Sequence, residues 1–200
     1  EVDQLIPLKI KEKEDYNEDL SRSDAPIAVA VIGKPNAGKS SIVNALLRKE
    51  RMIVDPVSGT TRDPVDSQCS FEGRDILLVD TAGIRRRGKV SRKIETFSIV
   101  SALKSIERAD VTLLIIDSEE GVTEQVTKIA GYANERRKSL VIVMNKWDLV
   151  KKDGITQKEV KEEVYDRLGF INFAPVIFVS AATGQRVPQI FENILRVHEQ

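Results

Sequence analysis

The sequence has little cysteine, little histidine and no excess of charge of either sign. Only Cys69 and His198 represent those two residue types, so nothing indicates a disulfide framework or a thiolate or imidazole metal site, and a reducing compartment is expected. The 31 acidic residues balance the 31 basic residues, so no net field attracts the chain to nucleic acid or to an anionic membrane. A partner of either kind would have to be contacted through a local patch.

Long apolar runs are also absent. No segment approaches the roughly 20 apolar residues of a membrane span, and the first ten residues lack the basic start and apolar block of a secretory signal. We therefore expect no membrane partner and a cytoplasmic location. An apolar fraction of 41% in 200 residues suits one globular domain with a buried core.

The start of the chain differs in composition from the remainder. Residues 9–24 carry many charges and few apolar side chains, so burial cannot offset the entropy lost on ordering. We interpret residues 1–24 as a charged linker or mobile tail and residues 25–200 as the folded domain.

Strand and helix patterns alternate through this domain. Short apolar runs predict strands buried in a parallel sheet at 27–32, 76–80, 111–117, 140–145 and 175–180, and the last four of these runs end in a polar residue. Periodic segments predict helices at 39–49, 92–106, 122–136, 156–168 and 187–198. Residues 65–71 alternate polar and apolar and precede a Glu-Gly turn, which predicts an antiparallel edge strand. The expected fold is α/β, with a doubly wound, mostly parallel six-stranded sheet and one antiparallel edge strand.

Residues 33–40, GKPNAGKS, fit the phosphate-binding pattern G-x-x-x-x-G-K-[ST] and lie between a predicted strand and a predicted helix. Glycine lets the backbone approach a phosphate, whose charge the N–H groups at the helix start can bind. Lys39 would reach the β and γ phosphate oxygens, and the hydroxyl of Ser40 would coordinate Mg²⁺. The residues predicted here to bind nucleotide are Gly33, Lys34, Pro35, Asn36, Ala37, Gly38, Lys39, Ser40 and Ser41.

Two further segments are typical of nucleotide-dependent switches. DTAG at 80–83 ends a predicted strand, so we expect Asp80 in the magnesium shell and the N–H of Gly83 close to the γ-phosphate. GTTRD at 59–63 precedes the edge strand, where Thr60 would contact the nucleotide and Thr61 would be the second protein ligand of Mg²⁺. Lys39, Thr61 and Gly83 are therefore candidate catalytic residues.

NKWD at 145–148 lies at the end of another predicted strand and indicates which nucleotide base the chain binds. The carboxylate of Asp148 can accept from the ring N–H and from the exocyclic amino group of guanine, a donor pair that adenine lacks. Because a mismatched base would leave Asp148 buried and unpaired, this residue would favour GTP over ATP by about 10²-fold or more. Further nucleotide contacts are expected from Asn145 and Lys146 and from the end of the last strand, Ser180, Ala181 and Ala182.

Four of these motifs, each after a predicted strand, resemble in their order the translation-factor-like G domains over residues 28–182. The exact sequences of these and neighbouring segments indicate one family within this class. The chain resembles the second G domain of the Der (EngA) family in the segments KPNAGKSSIVNALL, GTTRD, DTAGIRRRGKV, SALKSIERADV, GVTEQ, NKWDLV and SAATGQRV. That family carries two G domains in tandem and a KH-like domain, and acts in assembly of the large ribosomal subunit. The resemblance implies hydrolysis of GTP to GDP and phosphate. It also implies a first G domain, a KH-like domain and the large subunit or its rRNA as partners.

The motifs contain no residue that would orient the water that attacks the γ-phosphate. Ile84 stands where Ras-like domains place the glutamine that orients the attacking water, and isoleucine cannot form that hydrogen bond. By similarity to Der and MnmE, Asn36 and the backbone carbonyls of Asp55, Val57 and Thr60 would bind K⁺, which adds positive charge where the transition state gains negative charge. Asn36 is thus a fourth candidate catalytic residue. The alternative is a loop asparagine that only tolerates unusual backbone angles.

Other interpretations stay open. Residues 85–93, RRRGKVSRK, are either a nucleotide-dependent surface for rRNA or for an acidic face of the KH-like domain, or a solvated loop. The whole domain could be a nucleotide-sensing interaction module with negligible hydrolysis, which Ile84 leaves possible. It could also be an MnmE-like tRNA-modification GTPase, which shares Asn36 and GTTRD but would lack GIRRRGKV.

Overall fold

The computed structural model describes residues 25–49, 66–81, 84, 95–150, 154 and 156–200. The predicted tail, residues 1–24, lies outside these ranges. Each predicted strand and helix is present, with ends that differ by a few residues. The strands are β1 Ile27–Gly33, β2 Ser67–Phe71, β3 Arg74–Val79, β4 Val111–Asp117, β5 Ser139–Asn145 and β6 Val176–Phe178. The helices are α1 Lys39–Lys49, α2 Glu95–Arg108, α3 Glu124–Glu135, α4 Gln157–Arg167 and α5 Pro188–His198.

The strands form one six-stranded sheet in the order β2-β3-β1-β4-β5-β6. All neighbours pair in parallel except β2 and β3, so the predicted fold class and its antiparallel edge strand are confirmed. From β1 the sheet extends through β3 on one side and through β4 on the other. In open α/β sheets, ligands bind at the carboxyl ends of the strands where the strand order reverses in this way. The crevice after β1 is therefore the expected ligand site.

Helices cover both faces of the sheet. One buried cluster joins the sheet to α1 and α5, and a second joins it to α2, α3 and α4. Every residue of β4 is buried, which explains its largely apolar sequence. Cys69, on the edge strand, is also buried within the first cluster. Among the described helices, none combines the length and apolarity of a membrane-spanning segment.

Helix α3 contains a glycine that packing does not require. A Cβ added to Gly131 would meet no atom within 4 Å. In a helix interior, alanine is more favourable than glycine by about 0.8–1 kcal/mol of free energy. Gly131→Ala is therefore expected to raise the free energy of unfolding by roughly 0.5–1 kcal/mol without changing nucleotide affinity. Urea denaturation measures the change, and a lower midpoint at an unchanged m-value would contradict it.

Candidate nucleotide-binding site

The turn between β1 and α1 requires glycine at two positions. Gly33 has φ 146° and a Cβ there would lie 2.4 Å from the carbonyl oxygen of Ile115, while Gly38 has φ 93° and its Cβ would lie 2.1 Å from Nδ2 of Asn145. Asn36, between them, is exposed and has φ 64°. Left-handed residues within such a turn bring successive N–H groups toward one concave side, the arrangement that binds phosphate. The residues predicted as a phosphate loop therefore have the backbone shape that this function needs.

Lys39 folds its side chain over this loop. Its Nζ donates to the carbonyl oxygens of Gly33, at 2.8 Å, and of Lys34, at 2.6 Å. These two bonds hold the ammonium group of Lys39 against the backbone of the loop. The predicted contact of Lys39 with the phosphates stays a prediction.

Asn145 connects three strand ends. It is buried at the end of β5, its Nδ2 donates to the carbonyl oxygen of Ala37 at 3.0 Å, and its Oδ1 accepts from the N–H of Ala181 at 3.1 Å. The phosphate loop after β1 and the loop after β6 are thus joined through one side-chain amide. Both ends of that amide are engaged within the protein, and the predicted contact of Asn145 with nucleotide stays a prediction.

The loop after β6 also uses its own backbone donors. The N–H of Ser180 donates to the carbonyl oxygen of Gln185 at 3.1 Å, and its Oγ accepts from the N–H of Thr183 at 3.2 Å. Because the N–H of Ala181 is engaged by Asn145, the exposed Ala182 is the remaining candidate of the three predicted residues to donate to a base.

Asp148 lies on the turn after β5 and is exposed. The turn is held by Trp147, whose N–H donates to the carbonyl oxygen of Val179 at 3.0 Å and whose buried ring packs on Phe178 with centroids 4.5 Å apart. The predicted contact of Asp148 with guanine stays a prediction. The penalty for a mismatched base arises only once a bound base covers Asp148 and excludes water from it.

Lys146, in the same turn, has a partner that the sequence analysis did not predict. Its backbone has φ 63°, and its Nζ lies 2.6 Å from Oδ2 of Asp117. Asp117 ends β4 directly beside Asn145 in the sheet register. The sequence shows that Asp117 is a polar residue at the end of this strand, but it does not show that Lys146 is its partner.

The candidate magnesium ligands lie close to the segment after β3. Ser40 Oγ donates to the carbonyl oxygen of Ile84 at 3.0 Å, and Asp80 Oδ2 accepts from Ser101 Oγ at 2.9 Å. Hydroxyl and carboxylate oxygens are the hard donors that Mg²⁺ prefers, so this pair fits the ion chemically. Ser40 donates in its bond and keeps its oxygen lone pairs, and Asp80 keeps its second carboxylate oxygen, so both could coordinate a metal without losing these bonds.

Asp66, an acidic residue that the sequence analysis did not single out, holds the backbone of Asp80 in place. Asp66 precedes β2, its side chain is 3% exposed, and its Oδ1 accepts from the N–H of Asp80 at 2.8 Å. The same carboxylate forms an ion pair with Arg108 at the end of α2. The backbone of Asp80 is therefore held from β2 and α2 together.

The remaining predicted site residues lie outside the described part of the chain. They are Asp55, Val57, Thr60, Thr61 and Gly83, together with the basic stretch at 85–93. Their roles stay predictions.

A cleft opens beside the phosphate loop. It has a volume of about 440 Å³ and lies between α1 and residues 181–187, with Ser41 and Asn44 on one side and Ala181 and Ala182 on the other. Of the residues predicted to bind nucleotide, Ser41, Ala181 and Ala182 line this cleft. Residues 33–40, Asn145 and Asp148 do not line it, so the cleft does not by itself mark the nucleotide site.

Residues 28–146 match the family model described as 50S ribosome-binding GTPase. The chain belongs to this family. It is 50% identical over 182 residues to the GTPase Der of Caldanaerobacter subterraneus subsp. tengcongensis, covering 91% of this chain and 42% of that protein. It is 51% identical over 190 residues to the GTPase Der of Acetivibrio thermocellus, covering 95% and 42%. The predicted resemblance to Der is confirmed, and the chain spans about two fifths of the length of these relatives.

Solved structures agree with this assignment. Era in complex with MgGDPNP and nucleotides 1506–1542 of 16S ribosomal RNA superposes with a TM-score of 0.62 at 28% identity, covering 84% of this chain and 55% of that chain. The elongation factor SelB of Methanococcus maripaludis, at 18% identity with a TM-score of 0.66 over 88% of this chain and 34% of its own, shows the shared fold. The prediction of a GTPase that binds guanine nucleotide is confirmed at the level of the family, which usually employs Mg²⁺.

Proposed function

We propose that the chain is the second G domain of a Der-like protein, a K⁺-stimulated GTPase switch whose parent acts in assembly of the large ribosomal subunit. The observation that carries the proposal is the amide of Asn145, which joins the phosphate loop to the loop after β6. Phosphate recognition and base recognition are then parts of one connected site. In this proposal residues 25–200 form the G domain and residues 1–24 are a charged linker from a preceding domain.

Each part of the nucleotide has its own residues in this proposal. Residues 33–41 bind the phosphates, with Lys39 on the β and γ oxygens, and Asp148 accepts from the two donors of guanine. The N–H of Ala182 faces the guanine oxygen. Water attacks the γ-phosphate, and the N–H of Gly83 stabilises the charge that develops there.

The oxygen donors near β3 are assigned to the divalent ion. Ser40, Thr61 and Asp80 would hold Mg²⁺, which would neutralise charge on the phosphate oxygens when bound. The contact between Ser40 and the carbonyl of Ile84 supports this assignment, because it brings the first turn of α1 against the segment that follows Asp80.

The monovalent ion is assigned to Asn36, with the carbonyls of Asp55, Val57 and Thr60. Asn36 is exposed on the phosphate loop, so its amide is accessible to a cation beside the phosphates. Its φ of 64° also fits the alternative in which asparagine only tolerates the turn. The experiment must therefore separate the amide from the backbone.

Single-turnover GTP hydrolysis in KCl and in NaCl at equal ionic strength tests the proposal. The chain is expected to hydrolyse GTP about tenfold faster or more in KCl, because a fixed positive charge stabilises the transition state. Asn36→Ala should lose this stimulation. Asn36→Gly, which allows the left-handed backbone but lacks the amide, should lose it as well.

Each contrary result has a distinct meaning. Equal rates in both salts would contradict the K⁺ site. An Asn36→Gly variant that responds to K⁺ as the parent does would show that Asn36 only serves the turn. GDP binding with negligible hydrolysis in both salts would favour the nucleotide-sensing module.

The proposed partner is ribosomal RNA of the large subunit. The family description and the rRNA present in the Era structure support a ribosomal partner. Residues 85–93 would supply the positive patch that a chain without net charge needs for such contact. Their place directly after DTAG in the sequence would make that contact depend on the nucleotide state.

A further inference from the structure

The loop that follows β4 contacts both nucleotide-binding motifs. Asp117 Oδ2 lies 2.6 Å from Nζ of Lys146 in the base motif, and Glu120 Oε2 lies 2.7 Å from Nζ of Lys34 in the phosphate loop. The N–H of Ser118 also donates to the carbonyl oxygen of Asn145 at 2.9 Å. Residues 117–120 therefore lie between the two motifs and are bonded to each.

The two ion pairs differ in their access to water. The side chain of Asp117 is 9% exposed and that of Lys146 32%, whereas Glu120 is 49% and Lys34 30% exposed. Exposed ion pairs contribute little, because water and salt screen them and both side chains lose entropy. A pair with one buried partner is screened much less. The pair between Asp117 and Lys146 is therefore the one expected to have a measurable effect.

Asp117 is itself held rigidly. Its Oδ1 accepts from the N–H of Glu119 at 3.0 Å, and its carbonyl oxygen accepts from the N–H of Gly121 at 2.9 Å. It is also paired with Asn145 in the register of β4 and β5. A carboxylate fixed by its own turn and by the sheet can determine where a flexible partner lies.

We propose that Asp117 is a positioning residue for the guanine nucleotide, because it fixes the side chain of Lys146 before the nucleotide binds. This inference rests on the proposed function. A lysine side chain has four flexible bonds, and their freedom must be lost when the side chain is ordered against a ligand. With its ammonium already bonded to Asp117, Lys146 loses less freedom on binding, which raises affinity by preorganisation.

Asp117→Asn is the variant that tests this contact. Asparagine keeps an acceptor for the N–H of Glu119 but places an NH₂ group, a donor, opposite the ammonium of Lys146. The dissociation constant for fluorescently labelled GDP is expected to rise about tenfold, mainly through faster dissociation. Glu120→Gln makes the same chemical change in the exposed pair and should raise that constant less than about threefold. Thermal unfolding midpoints of both variants show whether they are folded.

A double-mutant cycle distinguishes positioning from a structural role. Lys146→Met keeps an unbranched stem without the ammonium, so in that background Asp117→Asn should change the GDP dissociation constant by less than about twofold. An equal effect of Asp117→Asn in both backgrounds would overturn the inference, because Asp117 would then act through its own turn. An Asp117→Asn variant with the same GDP dissociation constant as the parent chain would also overturn the inference. A parent chain that does not bind GDP would instead overturn the proposed function.

Discussion

Asp148→Asn is expected to change which nucleotide the chain prefers. Guanine presents a ring N–H and an exocyclic amino group, and the carboxylate of Asp148 can accept from both. Asparagine offers one acceptor and one donor, so its NH₂ group would face the amino group of guanine. Affinity for GTP should fall by about 10²-fold or more. Xanthine carries a carbonyl oxygen in place of that amino group and would pair with asparagine, so XTP should become the better ligand.

Fluorescence competition with GDP, XDP and ADP measures this change. Because Asp148 is exposed, its substitution should alter the free energy of unfolding by less than about 0.5 kcal/mol, so lost binding would not reflect unfolding. Asp166→Asn, an exposed aspartate on α4, is the matched control and should leave all three affinities unchanged. The base assignment is wrong if the parent binds ADP as tightly as GDP, or if Asp148→Asn leaves the ratio of GDP to XDP affinity unchanged.

The order of strands and helices was predictable because a strand that is buried on both faces of a sheet has a mostly apolar sequence. Strands β1, β4 and β5 lie within the sheet and are predominantly apolar, whereas β2 lies at its edge and alternates. Helix starts were nearly as clear. At α4, Thr156 and Glu159 form a reciprocal capping box, which makes Thr156 the cap and begins the helix at Gln157. The hydrogen bonds from Thr156 to Glu159 lower the pKa of that carboxyl below its ordinary value.

The partners of polar side chains at strand ends were not predictable. Several strands end in polar residues, and spacing alone does not state which pairs meet. Asp117 contacts Lys146 across 29 positions, and Asp66 reaches Arg108 across 42. Such contacts depend on strand order, register and side-chain rotamers, none of which a single motif contains.

The largest effect on stability is expected from Asn145→Ala. The change leaves the buried carbonyl oxygen of Ala37 and the half-buried N–H of Ala181 without their partner amide. A buried polar group that loses its partner costs about 1–3 kcal/mol and a half-buried one costs less, so the free energy of unfolding should fall by roughly 2–4 kcal/mol. GDP affinity should fall as well, because the phosphate loop is no longer tied to the base loop. Chemical denaturation and labelled-GDP binding measure the two effects.

Asn193→Ala is the matched control for Asn145→Ala. Asn193, on α5, also makes two side-chain hydrogen bonds, to Gln189 and Arg196, but these lie where water can replace them. Its removal should change the free energy of unfolding by less than about 1 kcal/mol. If Asn145→Ala were no more destabilising than Asn193→Ala, the amide would not be the bridge we infer. A second variant, Asn145→Asp, keeps an acceptor for Ala181 but cannot donate to Ala37, so a large loss there would assign the effect to the phosphate loop.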